Sequence, residues 1–299
     1  MKAAIRLRMK WKFEVRFLGE KKASKVQFNL KNVHYAPLEL NGDVPSWGTP
    51  VPVPGAVNLN LEPQGEVTPF YADGIVYYQS VGNNGYNGDL EIARFPDQML
   101  IDIWGYKKVE GDNVLIENSN VEAKPFALLY QIDGDATESL FCMYNCTGTR
   151  PGISSTTNTD VKEPQTQTST ISAVSLPSGD IFARTTHETP DQIVNNWYKK
   201  VYQKGEYTLV TGISVSGTAQ VGETLTATVQ PSGATVDYRW LVSDSAEGEY
   251  TAIPGKTEST LVLEEAQNGK YIKAEAMGKE NYVGTVLSAA TQAVAAAGG

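Results

Sequence analysis

The sequence is short of the residues that carry most protein chemistry. It has two cysteines and two histidines among 299 residues. Nucleophile-elbow, zinc-protease, phosphate-loop and dinucleotide motifs are missing, and His34 and His187 stand too far apart in sequence to suggest acid–base work. No enzymatic activity, cofactor or metal is expected. Cys142 and Cys146 fall in FCMYNC, which reads as a strand, where four residues separate the Cα atoms by roughly 13 Å, beyond disulfide reach. Both are expected to be buried free thiols, and the C-x-x-x-C spacing makes a poor zinc site. The pairs Asp133 with Asp135 and Glu264 with Glu265 lie at turns or strand ends, and they read as solvated charge rather than as the six or more oxygens that calcium takes. Long apolar runs are missing too: nothing approaches the roughly 18 residues of a membrane-spanning helix.

Basic charge is scarce outside one end. Of the formal net charge of −9, residues 1–24 contribute +6, so the other 275 residues carry −15. Such an acidic body does not suit a protein that grips nucleic acid by neutralising phosphates, although it suits a surface past which DNA slides. The first 24 residues have no continuous apolar stretch after their basic start and do not read as a signal peptide. They are expected to be a disordered tail or the product of a start codon assigned too far upstream, with a DNA-binding arm as the sharper alternative.

What the chain does have is β-pattern and turn chemistry, enough for two domains at this length. Lys25–Tyr35 alternates as a half-buried strand with a bulge near Asn32. The proline-rich stretch from Pro37 to Pro54 predicts a long loop or arm, with Trp47, Pro50 and Pro52 as candidate subunit contacts. Ile75–Val81 and Leu90–Ala93 are expected to pair as a hairpin across the cluster Gly82–Gly88. Pro96, Asp97, Leu100, Ile103, Trp104 and Gly105 spell a short amphipathic helix. Strands at Pro125–Ile132 and Ser139–Cys146 should join through Asp133, Gly134 and Asp135. Residues 150–170 are polar and Thr-rich, a second arm with Arg150, Ser154, Thr156 and Thr168 as candidate contacts. Strands at Ser169–Ser175 and Asp180–Thr185 lead to a second helix, capped by Thr189 and carrying Ile193, Val194, Trp197 and Val201 on one face. A boundary falls at Gly205–Gly212. Beyond it, short strands at turn-separated spacing read as an immunoglobulin-like sandwich with Trp240 as its buried anchor.

Tyr71, Ala72 and Asp73, then Tyr77 and Tyr78, then Gly85, Tyr86, Gly88, Asp89 and Leu90 resemble the core signature of major tail proteins of long-tailed bacteriophages. FALLYQIDGD and YNCTGTRP continue the likeness, which begins at Lys25. The resemblance implies a mainly β chain: a tail-tube β-sandwich or half-barrel with two short α-helices over residues 25–208, followed by an Ig-like β-sandwich over residues 209–299. It further implies a virion protein, assembled in the host cytoplasm, that forms stacked, sixfold rings with itself and meets other tail proteins. DNA passes through the tube without specific binding. The C-terminal part is similar to the disulfide-free Ig-like modules of bacteria and phages that end in a segment like Asn281–Thr285. Such a module decorates the exterior, and Tyr250, Tyr271 and Tyr282 are candidate contacts to a host-surface glycan or simple packing residues. The alternatives are a cell-surface or secreted Ig-domain binding protein and, with only its β-rich look in favour, a carbohydrate-active enzyme.

Overall fold

The computed structural model describes residues 22–157 and 164–298. The expected basic tail, up to residue 21, and the middle of the Thr-rich segment lie outside them. Strands take 46% of the chain and helices 6%, which makes the protein mainly β, with two helices and several antiparallel sheets. The first part holds β1 (Gln27–Asn41), β2 (Val44–Trp47), β3 (Val51–Pro52), β4 (Ala56–Pro63), β5 (Val67–Ala72), β6 (Ile75–Val81) and β7 (Tyr86–Ile92). After α1 (Asp97–Trp104) come β8 (Lys107–Lys108), β9 (Leu115–Ile116), β10 (Phe126–Gly134), β11 (Ser139–Gly148), β12 (Gln167–Val174), β13 (Phe182–Arg184) and α2 (Asp191–Asn196).

Strands β1, β10, β11, β12, β7 and β4 neighbour one another in that order, every pair antiparallel. The sheet curls until its end strands, β1 and β4, lie near each other. Strand β10 shows why. Phe126, Leu128 and Tyr130 enter one core with Val33, Tyr35, Leu90, Ile92 and Ile171, while Ala127 and Leu129 enter another with Ala36, Leu38 and Leu140. A strand covered on both faces reads as an unbroken apolar run, which is how FALLY reads. Each core has its helix. Met99, Ile103 and Trp104 of α1 close the first, and Trp197 and Val201, at and beyond the end of α2, close the second.

Three tryptophan indoles tie this packing to backbone: Trp47 donates to the Tyr144 carbonyl at 3.0 Å, Trp104 to Gly148 at 2.9 Å and Trp197 to Phe141 at 3.3 Å. Gly105, at φ 67°, ends α1 in the left-handed conformation expected of a helix stop. The expected cap of α2 is not made, because the Thr189 hydroxyl accepts from the Thr186 N–H at 2.8 Å and is held in the preceding turn.

The proline-rich stretch is not a free arm. Strand β1 runs on through Pro37 to Asn41, β2 folds back on it from Trp47 to Val44, and β3 pairs with His34 and Tyr35. Pro45 and Pro52 sit in short edge strands, where a missing donor is tolerated, and Pro37 falls where β1 passes from pairing with β10 to pairing with β2.

The second part holds β14 (Thr208–Leu209), β15 (Gly212–Ser216), β16 (Thr224–Gln230), β17 (Val236–Ser243), β18 (Thr251–Ala252), β19 (Thr260–Val262), β20 (Tyr271–Gly278), β21 (Tyr282–Val283) and β22 (Thr285–Leu287). One sheet has the order β15, β16, β19 and the other β18, β17, β20, β22. Leu225, Ala227, Trp240, Leu261, Ile272 and Ala274 form their common core, and Trp240, fully buried, donates its indole N–H to the Glu258 carbonyl at 2.9 Å. The linker takes part: β14 pairs in parallel with β21, and the Val210 N–H donates to the Val283 carbonyl at 2.8 Å.

Candidate functional site

The feature that stands apart from these cores is the ribbon formed by β5 and β6. Asp73 and Gly74 both have positive φ, 52° and 78°, and they reverse the chain between the two strands. An Asp-Gly pair supplies the twist that a two-residue hairpin turn demands. The expected pairing of Ile75–Val81 with Leu90–Ala93 is therefore corrected. Ile75–Val81 pairs back onto Val67–Ala72, and β7 pairs with β4 and β12. The glycine and asparagine cluster is not a turn but a neck. Gln64 N–H donates to Gly85 O at 2.8 Å, Asn84 N–H to Gln64 O at 2.8 Å and Gly82 N–H to Glu66 O at 2.9 Å, so the β4–β7 ladder continues outward into β5–β6. A Cβ on Gly65 would lie 2.0 Å from the Gly82 carbonyl oxygen, which is why the chain carries glycine at 65.

From Gln64 to Ala72 this ribbon extends about 30 Å, at roughly 3.4 Å per residue. All of β6 is exposed, and so is β5 except Ala72. Phe70 faces Tyr78 across one side and Val67 faces Val81 across the other, so both sides are apolar. Phe70, Tyr71, Tyr77 and Tyr78 are 60–71% exposed. At about 200 Å² for a fully exposed aromatic side chain, these four rings alone present roughly 500 Å². Spread over both sides of the ribbon, that total is comparable to the single largest apolar patch of an ordinary monomer, and Val67, Ile75, Val76 and Val81 add to it.

A second opening lies where the sheet fails to close. The Val53 N–H donates to the Val33 carbonyl at 2.7 Å, holding the chain of β3 against β1. Asn32 then takes φ 50° and Gly55 φ 86°, and the two strands part. Between them is an open cleft of about 630 Å³ lined by Phe28, Leu30, Val57, Leu59, Leu61, Tyr130 and Ile132 and also by the polar side chains of Asn29, Asn58 and Asn60. At the base of β1 Ser24 donates to the Thr137 carbonyl at 2.6 Å and Lys25 N–H donates to Asp135 at 2.7 Å. Lys31 pairs with Asp133 at 2.5 Å, which holds the Asp133 carboxyl below its ordinary range. Asp133 and Asp135 thus serve the turn. Among the described residues no group of three or more His, Cys, Asp or Glu side chains is placed to hold a metal.

The contact residues expected from the sequence are scattered. Trp47 is half-buried, packed on Tyr144 at 5.7 Å between ring centroids, and Pro50 is buried. Trp47 packs against the second core because an indole beside β11 is worth more packed than exposed. Pro52 is exposed but pairs with His34 in the sheet. Arg150 is ion-paired with Glu117, and Tyr106, first, and then Arg150 lower the Glu117 carboxyl pKa. Ser154 and Thr156 are exposed in an irregular segment, and Thr168 is exposed on β12, opposite Glu91. In the C-terminal part Tyr250 packs under Lys273, 4.3 Å from ring centroid to Nζ, and Tyr271 starts β20 next to it. Tyr282 lies beyond the other end of β20, paired with Thr208 in the linker strap. The three tyrosines therefore do not form one site.

The apolar ribbon was missed because its alternation is absent: VTPFYADGIVYYQSV carries large side chains at consecutive positions, a pattern that a buried strand also gives. The charge pattern was a usable signal. Residues 32–93 contain seven Asp or Glu and no Lys or Arg. A scan of the sequence against known protein families finds no match, and a search of curated proteins finds no similar sequence.

Proposed function

We propose that this chain is a self-assembling structural protein, and that its polymer is a tube of the kind formed by phage major tail proteins, with residues 209–299 as an Ig-like exterior module. The observation that carries the reading is the ribbon β5–β6. A two-stranded hairpin alone is marginally stable in water, and one with large apolar side chains on both faces is stabilised by burial against something else. The tail-protein signature residues Tyr71, Ala72, Asp73, Tyr77 and Tyr78 fall on this ribbon, so the resemblance and the exposed surface meet in one place. The acidic balance of residues 25–208, 22 Asp or Glu against 12 Lys or Arg, fits a wall that repels a passing polyanion.

Negative-stain microscopy and light scattering of the purified full chain test the proposal together. Rings or tubes, in the absence of sub-micromolar salt-sensitive DNA binding, are the expected result. A chain that stays monomeric at every concentration refutes it and favours the surface-binding alternative.

A further inference from the structure

Four asparagines of the chain stand directly before a glycine: Asn41, Asn84, Asn87 and Asn268. Such a pair can react with itself, because a glycine without Cβ lets its backbone nitrogen approach the carbonyl of the asparagine side chain. The reaction needs a nitrogen free of hydrogen bonds and a backbone able to rotate into the geometry of attack. Three of the four pairs are held against it. Gly85 is buried, and its N–H donates to Asn83 Oδ1 at 3.3 Å. Gly88 lies within β7, which pairs with β4 on one side and with β12 on the other. The Gly269 N–H donates to the Val294 carbonyl at 2.8 Å, and the Asn268 side-chain amide donates to Glu265 at 2.9 Å.

Asn41 and Gly42 differ from the other three in each respect. They belong to the turn between β1 and β2, where Asn41 pairs with Val44 across Gly42 and Asp43. Gly42 takes φ 64° at the first central position, as a II′ turn requires, and a Cβ there would meet nothing within 4 Å. Asn41, Gly42 and Asp43 are all exposed. Among the described residues neither the Gly42 N–H nor the Asn41 side chain has a hydrogen-bond partner. Strand β2 has four residues and pairs with no described strand but β1, so this end of the hairpin opens at little cost.

We propose that Asn41 is a site of self-modification, at which the chain deamidates without an enzyme. The Gly42 nitrogen gives its proton to hydroxide and forms a bond to Asn41 Cγ. The bond from Cγ to Nδ2 then breaks, and ammonia leaves with a proton taken from water. Water opens the resulting five-membered succinimide. Breaking the new bond to Cγ leaves aspartate, whereas breaking the bond to the main-chain carbonyl carbon leaves isoaspartate. Either product adds a negative charge beside Asp43, in a stretch, residues 32–93, with no Lys or Arg to offset it. Isoaspartate also carries the backbone through its own side chain and lengthens it by a methylene. A turn of two residues cannot absorb that, and the pairing of β2 with β1 loosens from Val44 toward Trp47.

Peptide mapping by mass spectrometry, on the full chain aged at mildly alkaline pH, tests this. Residues 32–93 offer trypsin no site, so a glutamate-specific protease is used: cleavage after Glu39, Glu66 and Glu91 releases 40–66 and 67–91, and cleavage after Glu265 and Glu275 releases 266–275. In the native chain Asn41 should gain the mass of an OH-for-NH₂ exchange at least about tenfold faster than the other three, the factor that about 1.4 kcal/mol of opening free energy supplies. Its product should separate into aspartate and isoaspartate. In urea, with the fold removed, the four asparagines should convert at similar rates. Gly42→Ala crowds the attacking nitrogen and should slow Asn41 in urea as well, where its effect on the turn no longer matters. An Asn41 that stays intact in the native chain overturns the proposal, as does a native chain in which any of the other three keeps pace. The same order of rates in urea as in the native chain would trace the difference to local sequence and overturn it too.

Discussion

Cys142 and Cys146 are four residues apart on one strand, yet they face opposite cores. A shift in the pairing of β11 with β10, between the pairs Cys146 with Phe126 and Met143 with Leu128, turns the alternation over. Burial pushes both thiols up, Cys142 well above its ordinary value and Cys146 to about 12. The sign of the consequence follows from which state holds the proton. Unfolded thiols ionise near 9.0 while the folded ones stay neutral, so stability is complete below about pH 9 and is lost as pH climbs toward the folded value. Each such thiol tilts stability by at most about 1.4 kcal/mol per pH unit in that window. Urea midpoints should therefore fall between about pH 8 and about pH 10. Cys146→Ala should show a shallower fall, and a midpoint independent of pH in the wild-type chain would contradict the burial. The sequence foretold two free, buried thiols. It could not foretell their opposite faces, because a bulge leaves no mark in composition.

Among the elements, the neck between β4–β7 and β5–β6 is where the sequence was most readily misread. Glycine and asparagine signal a chain reversal, yet Gly88 lies within β7, where a Cβ would stand 1.8 Å from the Asn60 carbonyl oxygen. Its backbone needs room rather than an unusual φ. Gly88→Ala should push β4 off β7 and lower stability by about 1–3 kcal/mol as overpacked sites do. A thermal melt shifted downward, with faster hydrogen exchange at Leu59 and Leu61, would show it; an unchanged melt would mean that β4 is free to move. By contrast, α1 was legible almost to the residue, since Pro96, Asp97 and Gly105 act locally. The stretch Pro37–Pro54 was not, because its prolines forbid helix without saying whether an edge strand will take them. Trp47 shows the same limit, since an indole among prolines looks exposed until β11 is folded beneath it.

At the scale of the whole molecule, two cores spanning residues 30–202 and a third spanning residues 213–294 use separate sets of side chains. The strand pattern on either side of Gly205–Gly212 points to such a division. The pairing of β14 with β21 was not readable, because two residues are too few to carry a periodicity. Limited proteolysis should cut before Thr208 rather than after it, since β14 is held by the C-terminal part. Mass spectrometry of the stable fragment checks this, and a fragment starting at residue 212 or later would show that the strap contributes little.

The strap also sets how far the C-terminal module can stray. Tyr202 stacks on Trp197 and Thr208 begins β14, so five residues bridge the two parts, and even fully extended they reach only about 20 Å. The Gly284 N–H donates to the Gln192 side chain at 3.4 Å, a further tie to α2. In a polymer the modules would stand at intervals dictated by the subunit repeat, not by a swinging tether. A feeble affinity of each module would then be multiplied only for surfaces whose own spacing matches that repeat, a selectivity by avidity that a longer, looser linker would erase.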